Sequence, residues 1–334
     1  MAEVTAITDR LGRRIDYARI SLTDRCNYRC TYCMPESGVE LIPHDQVMRY
    51  EEILYLCGVL RELGVTKVRF TGGEPLVRRG AVSFLAEFKK KFAKTALSLT
   101  TNGSLLAGSA ARLAAIGLAS MNISLDTLDP DKFRSITRVG EIEDVACGIA
   151  AVRQAGIPNI KTNTVLIRGF NDSELPSILS FAWENGATPR LIEFMPLGDD
   201  VWRRDKFIGA EEIMALLRTY GEWHPLITPQ VPAGVSRPVP MGPAKYYQNA
   251  DGRVVGVIEA VSNHFCEMCN RLRITAAGNM RACLFVSGET PLGGFLQRRD
   301  TAGLKRAILD GIDAKPDYWR QSRDGTAKMS SIGG

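Results

Sequence analysis

The chain has 334 residues, 45% of them hydrophobic and 24% charged, with a formal net charge of +5 and only three histidines. That length suits about two domains, and the composition is that of a globular protein rather than a disordered or fibrous one. The charge is too small to argue for nucleic acid, there is no apolar run of ~20 residues to span a bilayer, and the N-terminal stretch with Asp9, Arg10, Arg13 and Arg14 lacks an apolar signal region.

A cytoplasmic protein without membrane or nucleic-acid partners is expected. There, eight cysteines are not expected to form structural disulfides. Six fall in two tight groups, which points to metal or redox chemistry. Cys57 and Cys147 sit on apolar helical faces and are expected to be buried packing residues.

In chain order, residues 17–22 read as a strand that delivers the first cysteine group at its end. Tyr50 to Leu63 reads as a helix, with Ile53, Leu56, Cys57, Leu60 and Leu63 at helical spacing and Gly64 as its stop. A strand at Lys67 to Thr71 ends in Gly72-Gly73. A helix follows at Ala81 to Phe92, its basic end (Lys89 to Lys91) complementing the helix dipole. Ala96 to Thr101 is a strand stopped by Asn102-Gly103, a helix runs to about Ile116, and Ser120 to Leu125 is the fourth strand, with Asp126 after it. Val145 to Ala155 is a helix, Ile160 to Leu166 a strand, Leu175 to Asn185 a helix, and Arg190 to Phe194 a strand leading into Met195-Pro196.

Six strand–helix alternations imply a parallel sheet with right-handed crossovers. Chemistry in a β/α barrel collects at the C-terminal ends of the strands, where the unusual residues of this chain lie. Six units rather than eight predict an α/β fold: a partial (β/α)6 TIM-type barrel, open at its side and covered by a smaller C-terminal α+β domain. The expected division is 1–227 and 228–334, with the proline-rich stretch 228–243 as a linker or crossing segment. Beyond it, strand-like pieces occur at Arg253–Ile258, Leu272–Thr275 and Met280–Phe285, the last two joined by a Gly278-Asn279 turn. A helix near Gly303–Leu309 and a polar tail complete the chain.

The first cysteine group is Cys26, Cys30 and Cys33 on one short loop. A closed tetrahedral site needs four ligands, so three thiolates either recruit a distant residue or leave a metal with an open position. An iron–sulfur cluster held by three cysteines leaves one iron for an outside ligand. A zinc knuckle completed by His44 or Cys57, or a thioredoxin-like pair at Cys30 and Cys33, would also use this spacing. The second group, Cys266, Cys269 and Cys283, is equally compatible with a cluster or with a Cys3His zinc site completed by His264. No Gly-x4-Gly-Lys-Ser/Thr loop occurs, so a phosphate ligand would have to be held another way. Taken alone, Arg19, Arg69, Arg271 and Arg273 each read first as a surface or core-edge ion-pair partner.

Cys26-x3-Cys30-x-Tyr32-Cys33 followed by Gly72-Gly73-Glu74-Pro75 resembles the radical S-adenosylmethionine (SAM) superfamily. The run Asn263 to Arg273, with Cys283-Leu284, is similar to the C-terminal cluster motif of the GTP 3′,8-cyclase family, and the likeness extends to the terminal Gly333-Gly334. The resemblance implies two [4Fe–4S] clusters with three cysteine ligands each, the second with an open iron facing the guanine base. It implies SAM contacts at Tyr32, Gly73, Ser124 and Met195, and GTP contacts at Arg19, Arg69, Thr100, Lys161, Arg271, Leu272 and Arg273. It gives catalytic roles to Arg271, Arg273, Gly333 and Gly334.

It also implies a low-potential electron donor of ferredoxin or flavodoxin type and a downstream cyclic pyranopterin monophosphate synthase. A monomer or homodimer is expected. A peptide-modifying radical enzyme would usually carry more C-terminal cysteines. A zinc-stabilised binding module gives no reason for Gly-Gly-Glu-Pro behind the cysteine loop, and a pure electron-transfer protein would need neither a barrel nor a triphosphate pocket.

Overall fold

The computed structural model describes residues 7–197, 202–226, 242–285 and 288–318. Most of the proline-rich stretch, the 227/228 boundary and the Gly333-Gly334 tail lie outside the described residues. The first elements are β1 (Tyr17–Ser21), α1 (Tyr50–Glu62), β2 (Lys67–Thr71), α2 (Ala81–Lys91), β3 (Ala96–Thr101) and α3 (Ala110–Ile116). Next come β4 (Ser120–Ser124), α4 (Pro130–Thr137), α5 (Ile142–Gln154), β5 (Ile160–Leu166), α6 (Leu175–Glu184), β6 (Thr188–Glu193) and α7 (Ala210–Arg218). The chain continues with β7 (His224–Pro225), β8 (Lys245–Gln248), β9 (Val254–Ile258), β10 (Arg271–Ile274), β11 (Asn279–Arg281), β12 (Thr290–Pro291), α8 (Gly293–Arg298) and α9 (Thr301–Asp313).

Two compact units result, one of Met1–Thr100, Leu197–Asp199 and Cys266–Gly334, the other of Thr101–Pro196 and Asp200–Phe265. In the first, the strand order is β12-β11-β10-β1-β2-β3; β10, β1, β2 and β3 run parallel, while β11 and β12 are antiparallel additions. Phe70 of β2 anchors its core, meeting Phe84 and Phe88 of α2 edge-on, each with ring centroids 5.1 Å apart. α1 buries Ile53, Leu56, Cys57 and Leu60, and it stops at Gly64, whose φ of 96° is open to glycine at little cost. Glu52 reaches back to the Arg49 N–H, closing a capping box at the start of α1.

In the second unit the order is β4-β5-β6-β9-β8-β7, with β4, β5, β6 and β9 parallel. Leu166, Leu191, Val255 and Val257 from the strands pack with Leu175, Leu179, Ile213, Leu217 and Trp223. The parallel α/β order is that of the expected partial barrel class, and the parallel runs are lengthened by a C-terminal strand in each unit, β10 beside β1 and β9 beside β6.

Several expectations need correction. Cys147 is exposed on α5, because its inward face is taken by Val145, Gly148, Ile149 and Val152. The strand expected to reach Phe285 ends at Arg281, although the turn at Gly278-Asn279 does join antiparallel strands. α4, α7 and α8 are additional helices, as β8 is an additional strand. α4 had a readable signal: Asp129 accepts from the Asp131 and Lys132 N–H groups, and Pro130 occupies the first turn.

Candidate active site

Both cysteine groups and four of the five expected GTP-contacting cations fall in the first unit. Two residues past the end of β1 lies Thr23, whose hydroxyl accepts from the Arg25 N–H (3.1 Å) and turns the chain into the cysteine loop. Within the loop, Cys26 Sγ accepts from the Tyr28 N–H at 3.4 Å, and the Arg29 guanidinium donates to the Cys26 carbonyl at 2.7 Å. A turn brings the Cys33 N–H onto the Cys30 carbonyl at 2.9 Å. All three cysteines are half-buried.

The Gly72-Gly73 turn lies directly against this loop. Gly73 N–H donates to the Thr23 carbonyl and Glu74 N–H to the Arg25 carbonyl, both at 2.8 Å. A Cβ on Gly72 would lie 2.5 Å from the Thr23 oxygen, and one on Gly73 would lie 2.5 Å from the Arg25 oxygen. The glycines are therefore required by close backbone approach, not by an unusual φ. The fully buried Glu74 accepts from the Leu76 N–H (3.0 Å) and holds the next turn.

In the second cysteine group, Cys269 N–H bonds to the Cys266 carbonyl (3.2 Å), and the Arg271 guanidinium lies 3.8 Å from Cys269 Sγ. Burial raises the Cys269 thiol, but Arg271 and then Lys315 outweigh it and bring the pKa from 9.0 to about 6. The thiolate, which is the ligand form, is thus favoured. Lys315 is buried and donates to the carbonyls of Arg271 (2.9 Å) and Ala282 (2.5 Å), tying the two ends of the cysteine group together. Arg13 donates to the Cys266 and Pro316 carbonyls at 3.0 and 3.1 Å.

Among the described residues, no three His, Cys, Asp or Glu side chains converge on a single-ion site. Cys57 is buried in α1, and burial pushes its thiol well up, so it has the character of a packing residue and not of a ligand. The donor chemistry of both triads, thiols on short turns beside N–H and cationic groups, fits three-cysteine iron–sulfur clusters.

Between the two cysteine groups in the fold lies a basic array. The register sets Arg273, Arg19 and Arg69 side by side on β10, β1 and β2, with Arg271, Tyr17 and Lys67 side by side two residues earlier on the same face. Arg69 donates to the Tyr17 hydroxyl at 2.7 Å, to the Leu99 carbonyl at 2.6 Å and to Thr100 Oγ1 at 3.3 Å. Arg19 is held well below its ordinary pKa, first by burial and then by Arg273, with Arg69 and Arg271 adding to it and only the Tyr17 phenol opposing among these groups. Burial, then Arg271, lowers Arg273 to about 10, with Cys269, Cys283 and Tyr17 opposing. Like charges gathered out of water suit a polyanion that would relieve their repulsion.

Tyr32 and Leu272 belong to the first unit as well, whereas Ser124, Lys161 and Met195 lie in the second. Ser124 ends β4 opposite Asn163 of β5, and Arg190 of β6 donates twice to Asn163 Oδ1, at 2.9 and 2.6 Å. Lys161 is half-buried on β5, beside Asn122 and Thr188. Met195 lies two residues past the end of β6. Just before it, the buried Glu193 accepts from the N–H groups of Ala210 (2.8 Å), Val261 (2.6 Å) and Ser262 (2.9 Å). Asp126 accepts from the Val165 N–H at 2.8 Å and pins β4 to β5.

Sequence reasoning missed Tyr17, Lys67, Lys315, Arg190 and Glu193. Tyr17 and Lys67 were within reach, each two residues before an arginine on a strand. Lys315 carried no signal, since only the fold brings it to the cysteine turn.

Residues 20–182 match the family model "Radical SAM superfamily", and residues 187–321 match "Molybdenum Cofactor Synthesis C". The GTP 3′,8-cyclase of Thermodesulfovibrio yellowstonii is 39% identical over 98% of this chain and 99% of its own length. That of Peptoclostridium acidaminophilum is 41% identical, covering 95% and 94%. Among solved structures, Streptococcus suis SuiB bound to precursor peptide SuiA aligns with a TM-score of 0.51 at 15% identity, over 65% of this chain and 46% of that one, a likeness of fold alone. The chain belongs to the GTP 3′,8-cyclase family of radical SAM enzymes. SAM and [4Fe–4S] clusters are accordingly its cofactors. No helix among the described residues is long and apolar enough to cross a membrane.

Proposed function

We propose that the chain cyclises GTP to (8S)-3′,8-cyclo-7,8-dihydroguanosine 5′-triphosphate, the first step of molybdenum-cofactor (molybdopterin) synthesis. The carrying observation is the row of Arg273, Arg19 and Arg69 on three adjacent strands, in the same unit as both cysteine triads. When bound, the first cluster and SAM would supply the 5′-deoxyadenosyl radical that takes hydrogen from C3′ of GTP, so that C3′ closes on C8 of guanine and one further electron with a proton completes the dihydro product.

The chain's own residues hold and orient. Cys26, Cys30 and Cys33 would hold the first cluster, and Cys266, Cys269 and Cys283 the second, on the side of the guanine base. Tyr32, Gly73, Ser124 and Met195 contact SAM. Arg19, Arg69, Thr100, Lys161, Arg271, Leu272 and Arg273 contact GTP, the guanidinium forks taking its phosphates. Arg271 and Arg273 also assist catalysis, as do Gly333 and Gly334, which lie outside the described residues. Thr100 has a second task, as an acceptor that fixes Arg69.

The cytoplasm is the proposed setting, with a ferredoxin- or flavodoxin-type donor, a cyclic pyranopterin monophosphate synthase downstream, and a monomer or homodimer as the working form. The proposed division is a radical SAM portion at 1–227 and a cluster-binding portion at 228–334. The test is anaerobic reconstitution with iron and sulfide, then incubation with SAM, dithionite and GTP. 5′-Deoxyadenosine and a cyclised nucleotide are expected together, and the absence of both would refute the proposal.

A further inference from the structure

The electron that starts each turnover comes from outside the chain, and the surface beside the first cysteine loop is basic. Arg25, next to Cys26, is exposed and lines two recesses. One, of about 670 Å3, also has Arg49, Arg78 and Arg79 in its walls; the other, of about 270 Å3, has Cys26 itself, Arg29 and Leu41.

Against these five guanidinium groups the walls carry three carboxylates, Asp24, Asp45 and Glu52. Two of these are buried and engaged: Asp24 accepts from the Ile42 N–H at 2.6 Å, and Glu52 accepts from the Arg49 N–H at 2.7 Å and pairs with the Arg49 guanidinium at 3.1 Å. Only Asp45 remains as an exposed acid in that lining. Arg78 is fixed by backbone, donating to the carbonyls of Leu22 (2.5 Å) and Met48 (2.7 Å) and lying 4.2 Å from the Tyr50 ring centroid. Its charge is thereby positioned without a direct ion pair, Glu51 acting on it only at a distance. The exposed side chains of Arg25 and Arg79 have no ion-pair partner among the described residues. Leu41, 45% exposed beside Cys26 in the smaller recess, adds an apolar contact within the charged rim.

We propose that this arginine face, from Arg29 through Arg25 to Arg79 and Arg49, is the docking surface for the electron carrier, an acidic protein bearing a one-electron centre. The inference rests on the reading that Cys26, Cys30 and Cys33 hold the cluster that is reduced. One electron leaves the reduced carrier and enters that cluster, and no proton or group is transferred. Opposite charge steers such an encounter, and salt weakens it.

The test uses reconstituted full-length protein, a reduced flavodoxin and three variants: Arg79→Glu, Arg49→Gln and Arg79→Lys. Calorimetric binding of the flavodoxin at low ionic strength is one readout; cofactor cleavage driven by flavodoxin or by dithionite is the other. Arg79→Glu should weaken binding roughly tenfold and slow flavodoxin-driven cleavage in step, with Arg49→Gln following to a smaller extent. Arg79→Lys should behave as wild type, and added salt should bring wild type towards Arg79→Glu.

Iron content and dithionite-driven cleavage should stay unchanged, which separates docking from misfolding. Wild-type flavodoxin affinity in both Arg79→Glu and Arg49→Gln would overturn the proposal. So would loss of dithionite-driven cleavage, by placing these arginines in the catalytic machinery. A wild-type protein active with dithionite that neither binds nor accepts electrons from the flavodoxin or a ferredoxin would instead refute the donor reading beneath it, and the docking surface with it.

Discussion

At the scale of residues, the basic array behaves as one electrostatic unit. Tyr17 is buried, which alone would raise its phenol, yet Arg69, Arg19 and Lys67 pull it from 10.0 down to about 7. Its ionised form is therefore favoured by folding. That contribution to stability is fully present above the unfolded phenol pKa of ~10 and is lost as the pH falls through about 7. In ligand-free protein, ultraviolet difference titration should show one tyrosine ionising near neutrality, absent in Tyr17→Phe, and bound GTP should move the step to higher pH. A wild-type titration without that step would mean that the arginines do not act on Tyr17 as described. Arg271→Ala and Arg273→Ala should each weaken GTP binding by about 1.5–3 kcal/mol and guanosine binding far less, since a charge-assisted contact to phosphate is what each loses. Equal losses for nucleotide and nucleoside would place both outside the phosphate site. The arginines could be singled out in the sequence because of the motifs around them. Their alignment could not, because it depends on β10 pairing with β1 from more than 250 residues away, with Arg19 opposite Arg273.

Among the elements, the strand-and-turn pieces nearest the cysteines were the most legible. Lys67–Thr71 and Ala96–Thr101 are strands with the bounds expected, because each is short, apolar and closed by a turn signal. α7 and β8 were missed. α7 carried an overlooked start signal, Gly209 with Glu211 and Glu212 in the first turn, and β8 is held by its pairing with β9. The Gly-Gly-Glu-Pro turn is where sequence and packing coincide. Gly73→Ala would press a methyl group against the Arg25 carbonyl, where only backbone could yield. It should cost about 1–3 kcal/mol in thermal or denaturant unfolding and lower the iron retained on reconstitution. Unchanged stability together with full iron content would show that the turn and the cysteine loop separate freely.

Across the whole molecule, the chain ties distant segments to a few chemical tasks. Arg13 and Lys315 come from opposite ends of the sequence, and both brace the backbone around the second cysteine group. Neither showed in a reading of local pattern, since each acts through carbonyls that the fold alone brings near. Ala substitution of Cys26, Cys30 or Cys33 should abolish SAM cleavage. Substitution of Cys266, Cys269 or Cys283 should leave part of the cleavage while product formation is lost, measured as 5′-deoxyadenosine against cyclised nucleotide. Equal loss of cleavage in both sets, with the fold intact, would refute the division of labour between the triads. The most direct measurement of the central claim uses GTP deuterated at C3′ with the reconstituted wild-type protein, SAM and dithionite. Deuterium should appear in 5′-deoxyadenosine in step with the cyclised triphosphate; cyclised product accompanied by unlabelled 5′-deoxyadenosine would contradict it.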